Sequence, residues 1–318
     1  MKDVVLQREN GPGDGAPQAG GATERKGGGW WAEVKGVLWL LLIVLGFHSF
    51  IAKPFYIPSE SMLPNLRVGD RLVVTKFAYG WSYVSPTIPN PVAIFNSLVL
   101  RRQEDSWSVA LPFVHGRLFG HMPARGDIAI VTPPSNNTDY IKRVIGLPGD
   151  RIEVRGGAVI LNGVPLERRQ VADTLLPVDT NSACSDTEYP GARQVLPDGR
   201  LICRLPTFRE RLPSGRSYDT VDLGWSPGDN YGPITVPAGH VFMMGDNRDR
   251  SADSRFPADQ LGLDGAVPWE KLGGRAEFVT FSLDGSATLN PLTWVRSLRW
   301  GRAGLSLHPA QDPPAARK

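Results

Sequence analysis

Two serines, Ser59 and Ser61, stand two residues apart in the segment IPSESMLP (57–64). Pro58 and Pro64 fix φ locally and push the residues before them toward extended or turn geometry. A serine on so stiff a segment can be presented to a cleft, but its hydroxyl is a poor nucleophile until a base takes its proton. The five histidines, His48, His115, His121, His240 and His308, are scattered, and none lies in a G-x-S-x-G setting. Lysine can serve instead when burial disfavours its charged form and leaves a neutral amine. Lys142, in YIKRVIGLPGD (140–150), has apolar neighbours Tyr140, Ile141, Val144 and Ile145. By strand alternation it shares a face with Tyr140 and Val144. Strand lysines are ordinarily solvated surface charges, and the residues alone leave both readings open.

The elements that must position these groups read as β structure. Residues 55–57 alternate as in a short strand, residues 70–75 (DRLVVT) follow a glycine as another, and residues 127–131 (DIAIV) and 140–145 are strands. Gly156-Gly157 signals a hairpin between strands at 151–154 and 158–161. Further strands are predicted at 241–244 and 277–281. Residues 78–125, with Pro86, Pro89, Pro91 and Pro112, read as a long irregular insertion. Residues 165–233 are polar and turn-rich and read as a smaller β subdomain inserted into the first. Upstream, residues 36–52 (GVLWLLLIVLGFHSFIA) carry no charge and predict one transmembrane helix, flanked by Trp30, Trp31, Lys35 and Lys53. Only about nine residues separate Ala52 from Ser61, a reach of about 30 Å when extended, so the serine cannot lie far from a bilayer surface.

Three segments together carry a family resemblance: IPSESMLP (57–64), YIKRVIGLPGD (140–150) and GDNRDRSADSR (245–255). In this order, downstream of an apolar span, they resemble the bacterial type I signal peptidases, membrane-bound Ser/Lys proteases that remove signal peptides from exported preproteins. The likeness runs over most of residues 53–282. It implies a mostly β, signal-peptidase-like catalytic domain (53–164 and 234–282) with the inserted β subdomain at 165–233. It also implies a cytoplasmic tail at 1–35, a helical anchor at 36–52 and a tail at 283–318. The resemblance makes Ser61 the nucleophile and Lys142 the general base. Ser59 then assists the Ser61 amide in the oxyanion hole, Ser251 orients the lysine, and Asp253 and Arg255 brace the site. Phe55, Ile57, Met62, Tyr140 and Ile141 line a cleft that admits small side chains at the first and third positions before the cut. Glu60 departs from the family, many members of which carry Gly there.

The positive-inside rule is almost silent, because Arg25, Lys26 and Lys35 precede the run while Lys53, Arg67 and Arg71 follow it. The resemblance places the N-terminus in the cytoplasm and the catalytic domain outside the inner membrane. Cys184 and Cys203 are two free thiols or, on that oxidising side, a disulfide. With no CxxC or Cys/His cluster, neither a metal nor another cofactor is expected. The net charge of +3, with scattered basic residues, gives nucleic acid no footprint, so preproteins and membrane lipid are the expected partners. A self-cleaving Ser/Lys repressor would carry a DNA-binding module where this chain has its apolar run. A membrane-anchored, non-catalytic β scaffold would not need Ser61 and Lys142 together.

Overall fold

Alternating burial builds the main sheet. In Asp70–Thr75 (β2) Asp70, Leu72 and Val74 turn inward. The strand pairs antiparallel on one side with Ala52–Tyr56 (β1), from Ala52 opposite Thr75 to Tyr56 opposite Arg71. Ile128–Val131 (β3) and Tyr140–Gly146 (β4) are buried on both faces, apart from half-buried Tyr140. That is why they read as near-continuous apolar runs rather than alternating ones. His240–Met244 (β5), Val267–Pro268 (β6) and the eleven-residue Leu272–Ser282 (β7) complete seven strands in the order β1-β2-β7-β3-β4-β5-β6. Strand β7 pairs with β2 and with β3, and register shifts let it bend between them. The structure, a computed structural model, describes residues 30–81, 88–89, 108–109, 116–133, 138–288 and 290–311, without the side chains at 45, 48, 49, 88, 89, 108, 109 and 291. Most of the insertion predicted at 78–125 lies outside the described residues.

The hairpin Arg151–Arg155/Ala158–Leu161 turns at Gly156 and Gly157, both at positive φ as a type I′ turn requires. Tyr231–Thr235 pairs with it from the far end of the insert. Within the insert, Glu167–Gln170, Thr207–Arg211 and Arg216–Val221 form one small sheet. Thr174–Pro177, Leu201–Leu205 and Arg193–Val195 form another. Cys184 and Cys203 are joined by a disulfide 19 residues apart in sequence. A loop of that size is restrained by about 3 kcal/mol on the chain-entropy account. The chain from Ile43 onward is one compact unit, so the insert packs as part of the same body as the main sheet.

The segment after Ser282, read from sequence as a tail, returns to the sheet. Helix Pro291–Ser297 (α2, numbered after the N-terminal helix) is followed by Arg302, whose guanidinium bonds Asp70 (2.8 and 2.5 Å). Leu307 is buried with Ile57, Met62, Leu72 and Ile141, and Ala310–Gln311 adds an edge strand to Arg216–Val221. Buried Leu307, Arg302 on Asp70 and Arg299 on Asp179 hold a stretch whose sequence has no apolar period.

The N-terminal helix α1 covers Trp30–Phe50. It carries Glu33 and Lys35, and its uninterrupted described apolar stretch is residues 36–44. Among the described residues no helix is long and apolar enough to cross a membrane.

Candidate active site

Between β1 and β2 the chain makes a compact loop whose ends meet, an Ω-loop. Its neck is closed by Ile57 N–H to Asp70 O and Gly69 N–H to Ile57 O, both 3.0 Å. Asp70, fully buried, takes the Arg67 N–H at 2.8 Å and the Arg302 guanidinium, fixing the neck electrostatically. Ile57, Met62 and Leu66 of this loop enter the core cluster of the main sheet, while Leu63 enters the insert's cluster with Leu176, Cys184, Tyr189 and Cys203. The loop is thus pinned from two sides, and Ser61 is buried at its tip.

Lys142 lies in β4 opposite Ala129 of β3. Its Nζ reaches Ser61 Oγ at 2.8 Å, across 81 positions of sequence. Both residues are nearly inaccessible. Burial pushes the lysine from its ordinary value down to about 8; the Asp253 and Asp246 carboxylates act to raise it and the Arg255 guanidinium to lower it. A lysine in that range has a neutral fraction near neutral pH, as a general base needs. The Tyr140 ring centroid is 5.8 Å from Nζ. Ser59 Oγ is 3.4 Å from Ser61 Oγ, on the exposed side of the tip.

The 245–255 segment packs behind the serine. Asn247 N–H donates to Ser61 O at 3.1 Å, and Asn247 Nδ2 to Glu60 O at 3.2 Å. Asp253 accepts from Gly245 N–H and from Arg255 Nε and Nη2, each at 2.9 Å. Burial acts to raise the Asp253 carboxyl, but Arg255 and these donors outweigh it and hold the group below the usual carboxylate range. Gly245 allows the close approach: a Cβ there would lie 2.2 Å from Ser251 Oγ and 2.5 Å from Ser61 O. Gly245→Ala is therefore expected to displace the Ser61 main chain, cost about 1–3 kcal/mol of stability by overpacking and slow turnover roughly tenfold or more through misplacement. Thermal melts and kcat on a peptide substrate check it; wild-type values in both reject the role.

The structure brings Ser59, Ser61, Lys142, Asp253 and Arg255 into one neighbourhood. Ser251 is buried there, but its Oγ has no hydrogen-bond partner and makes no bond to the lysine. Of the apolar residues expected along the cleft, Ile57, Met62 and Ile141 share one cluster, with Phe55 packed on it, whereas Tyr140 packs on the neighbouring cluster around Val144. Ser61 Oγ has the Lys142 amine and no described histidine as its partner: His121 is exposed, with its main-chain N–H on Tyr79 O. His240 Nδ1 bonds Ala238 O and His308 Nε2 bonds Glu277, while His115 and the side chain of His48 lie outside the described residues. Among the described residues no cluster could hold a metal ion.

Sequence reasoning missed the buried pair beside the lysine. Arg143 donates to both oxygens of Asp246 (2.7 and 2.6 Å) and to Gly126 O, and stacks over Tyr218 at 4.2 Å. Asn65 Nδ2 bonds the same carboxylate at 2.8 Å and ties the Ω-loop to it. The signal was a charged residue in a strand apolar on both faces, which demands a buried partner.

The chain matches the family described as "Signal peptidase, peptidase S26" over residues 30–281. It is similar to "Signal peptidase I" of Rickettsia typhi, 32% identical over 258 residues, covering 79% of this chain and 80% of that one. Against "Signal peptidase I" of Rickettsia bellii (strain OSU 85-389) it is 29% identical over 300 residues, covering 88% and 86%. Against that of Rickettsia prowazekii it is 32% identical over 251 residues, covering 76% and 77%.

Proposed function

Since this chain belongs to the signal peptidase family, peptidase S26, and is a hydrolase of that kind, we propose that it removes signal peptides from exported preproteins with a Ser61–Lys142 dyad, held at the bacterial inner membrane by helix α1. The observation that carries the dyad is the 2.8 Å approach of Lys142 Nζ to Ser61 Oγ within a buried setting. The neutral amine takes the Ser61 proton as Oγ attacks the scissile carbonyl. The oxyanion is received by the Ser61 N–H and the Ser59 hydroxyl, donors worth most in a site that excludes water. The ammonium then protonates the leaving amine, and the signal peptide stays on Ser61 as an ester. Lys142, neutral again, takes a proton from water, whose attack frees the serine. No metal or cofactor enters these steps.

Specificity for small residues follows from the apolar wall of Phe55, Ile57, Met62, Tyr140 and Ile141. A large side chain would have to displace groups already packed in the core. An extended substrate sends alternate side chains toward that wall, which suits selection at the first and third positions.

The membrane role of α1 is inferred from the uncharged run of sequence at 36–52, and apolar side chains such as Leu38, Leu40, Leu42 and Ile43 are exposed around the helix. A helix apolar all round is buried in a protein core or in lipid. The resemblance sets its direction, N-terminus inward and catalytic body outward.

The test is incubation with a model preprotein beside Ser61→Ala. The wild type should cut after a small-x-small sequence and Ser61→Ala should leave the precursor intact. The wild type should also stay with membranes after alkaline extraction. Cleavage by Ser61→Ala overturns the dyad, and release by alkali overturns the anchor.

A further inference from the structure

Glu60 sits between the two serines and takes no part in the chemistry assigned to them. Its carboxylate is held by the insert: Tyr189 OH donates to Oε2 at 2.6 Å and Ser182 Oγ donates to Oε1 at 3.0 Å. Its main-chain oxygen accepts from Leu63 N–H at 3.1 Å and from Asn247 Nδ2 at 3.2 Å. The same Asn247 Nδ2 is 3.3 Å from Tyr189 OH. Glu60 is therefore gripped by its side chain from the insert and by its main chain from the 245–255 segment.

The grip is itself fastened. Tyr189 is fully buried and packs with Leu63, Cys184 and Cys203 in one cluster. Ser182 precedes Cys184 by two residues and Tyr189 follows it by five, so the disulfide anchors the segment carrying both donors onto strand Leu201–Leu205. The segment's other end is held by Asp179, which accepts the Asn181 and Ser182 N–H groups and pairs with Arg299. Hydrogen bonds to a carboxylate are short and strong compared with neutral ones, and these two act one residue from the nucleophile. A loop tip would otherwise fluctuate by more than catalysis tolerates, since a misplacement near 1 Å can cost about a hundredfold in rate.

We propose that Glu60 is a positioning residue: its carboxylate, gripped by Tyr189 and Ser182 of the disulfide-anchored segment, fixes the turn of Ser59–Ser61 for attack. The proposal rests on the reading of Ser61 as nucleophile, and it gives the insert a part in turnover that the sequence did not suggest.

The experiment uses the full-length enzyme in detergent with a peptide carrying a small-x-small site. Tyr189→Phe, Glu60→Ala, Glu60→Gln and Ser61→Ala are compared by kcat, KM, thermal midpoint and the pH profile of kcat/KM. Tyr189→Phe and Glu60→Ala should lower kcat by roughly ten- to a hundredfold with KM within about twofold. Glu60→Gln should recover most of kcat, because its amide oxygen still accepts from Tyr189 and its amide nitrogen can donate to Ser182. The acid limb should stay where the wild type has it, since the groups acting on Lys142 are Asp253, Asp246 and Arg255. Wild-type kcat in both Tyr189→Phe and Glu60→Ala overturns the proposal, as does a moved acid limb or a loss that Glu60→Gln does not restore. Should Glu60→Ala fail to fold, Tyr189→Phe, which removes one oxygen, decides alone. Activity in Ser61→Ala would mean instead that the site itself was misread.

Discussion

Lys142→Ala is expected to bind a signal-peptide substrate with nearly wild-type KM and to cleave it roughly a thousandfold or more slowly, the span lost when a positioned general base is removed. The amine is the base nearest the serine at 2.8 Å, and no described histidine is placed to replace it. Lys142→Arg should be as inactive: a guanidinium stays charged and cannot accept the Ser61 proton. The pH profile carries the same signature. With the amine at about 8, roughly one in ten is neutral at pH 7. Activity should rise with pH up to that value and fall about tenfold per pH unit on the acid side. Stability follows the same sign. The folded pKa lies below the unfolded 10.5, so the unfolded chain binds more protons between about 8 and 10.5 and stability rises with pH across that window. Below about 8 the fold carries a buried ammonium at full cost. Single-turnover cleavage against pH and substrate concentration, run on wild type and both variants, tests the mechanism, and urea denaturation between pH 7 and 11 tests the stability trend. Substantial cleavage by either variant would end the lysine mechanism.

How much of this could be read in advance differs from residue to residue. Ser59, Ser61 and Lys142 were legible because each lies in a local motif. What alternation could not decide was whether Lys142 is buried. Strand β4 is covered on both faces, so a period-two pattern carries no inside and outside to read. The partners that hold the site are non-local. Arg143 meets Asp246 across 103 positions, Glu60 meets Tyr189 across 129 and Arg302 meets Asp70 across 232. Nothing in the neighbouring residues marks such pairs, and a Glu in place of Gly between two serines read only as a departure. The C-terminal stretch misled for the same reason, since its arginines look solvated until buried Asp70 and half-buried Asp179 supply acceptors. Ser251 shows the opposite limit: the motif assigns it a bond to the lysine, and its hydroxyl lies buried without one.

The other large effect is expected at Asp253. Asp253→Asn should destabilise the protein by about 3–5 kcal/mol, because it leaves the Arg255 guanidinium buried without its counter-charge. Both side chains are almost wholly inaccessible, and the guanidinium's remaining acceptors are the Arg248 and Gly228 carbonyls. The pH dependence has a definite sign. The wild-type carboxyl titrates below its ordinary 3.8, so its contribution is present above that value and is lost as pH falls through the folded pKa. The gap between variant and wild type should therefore close in strong acid and stay open from pH 5 upward. Catalysis should move as well. Asp253 is the larger of the two carboxylate influences that raise the Lys142 amine, while Arg255 lowers it. Removing the acid alone leaves both burial and Arg255 pressing the amine down, so the acid limb should shift to lower pH while the plateau falls as the brace on Gly245 N–H weakens. The double variant Asp253→Asn/Arg255→Met removes the stranded cation. It should regain part of the stability, and its acid limb should return part of the way toward wild type. Urea denaturation at several pH values, together with kcat/KM profiles, separates the two effects. An acid limb that stays fixed in Asp253→Asn would show that the pair braces the fold without tuning the lysine.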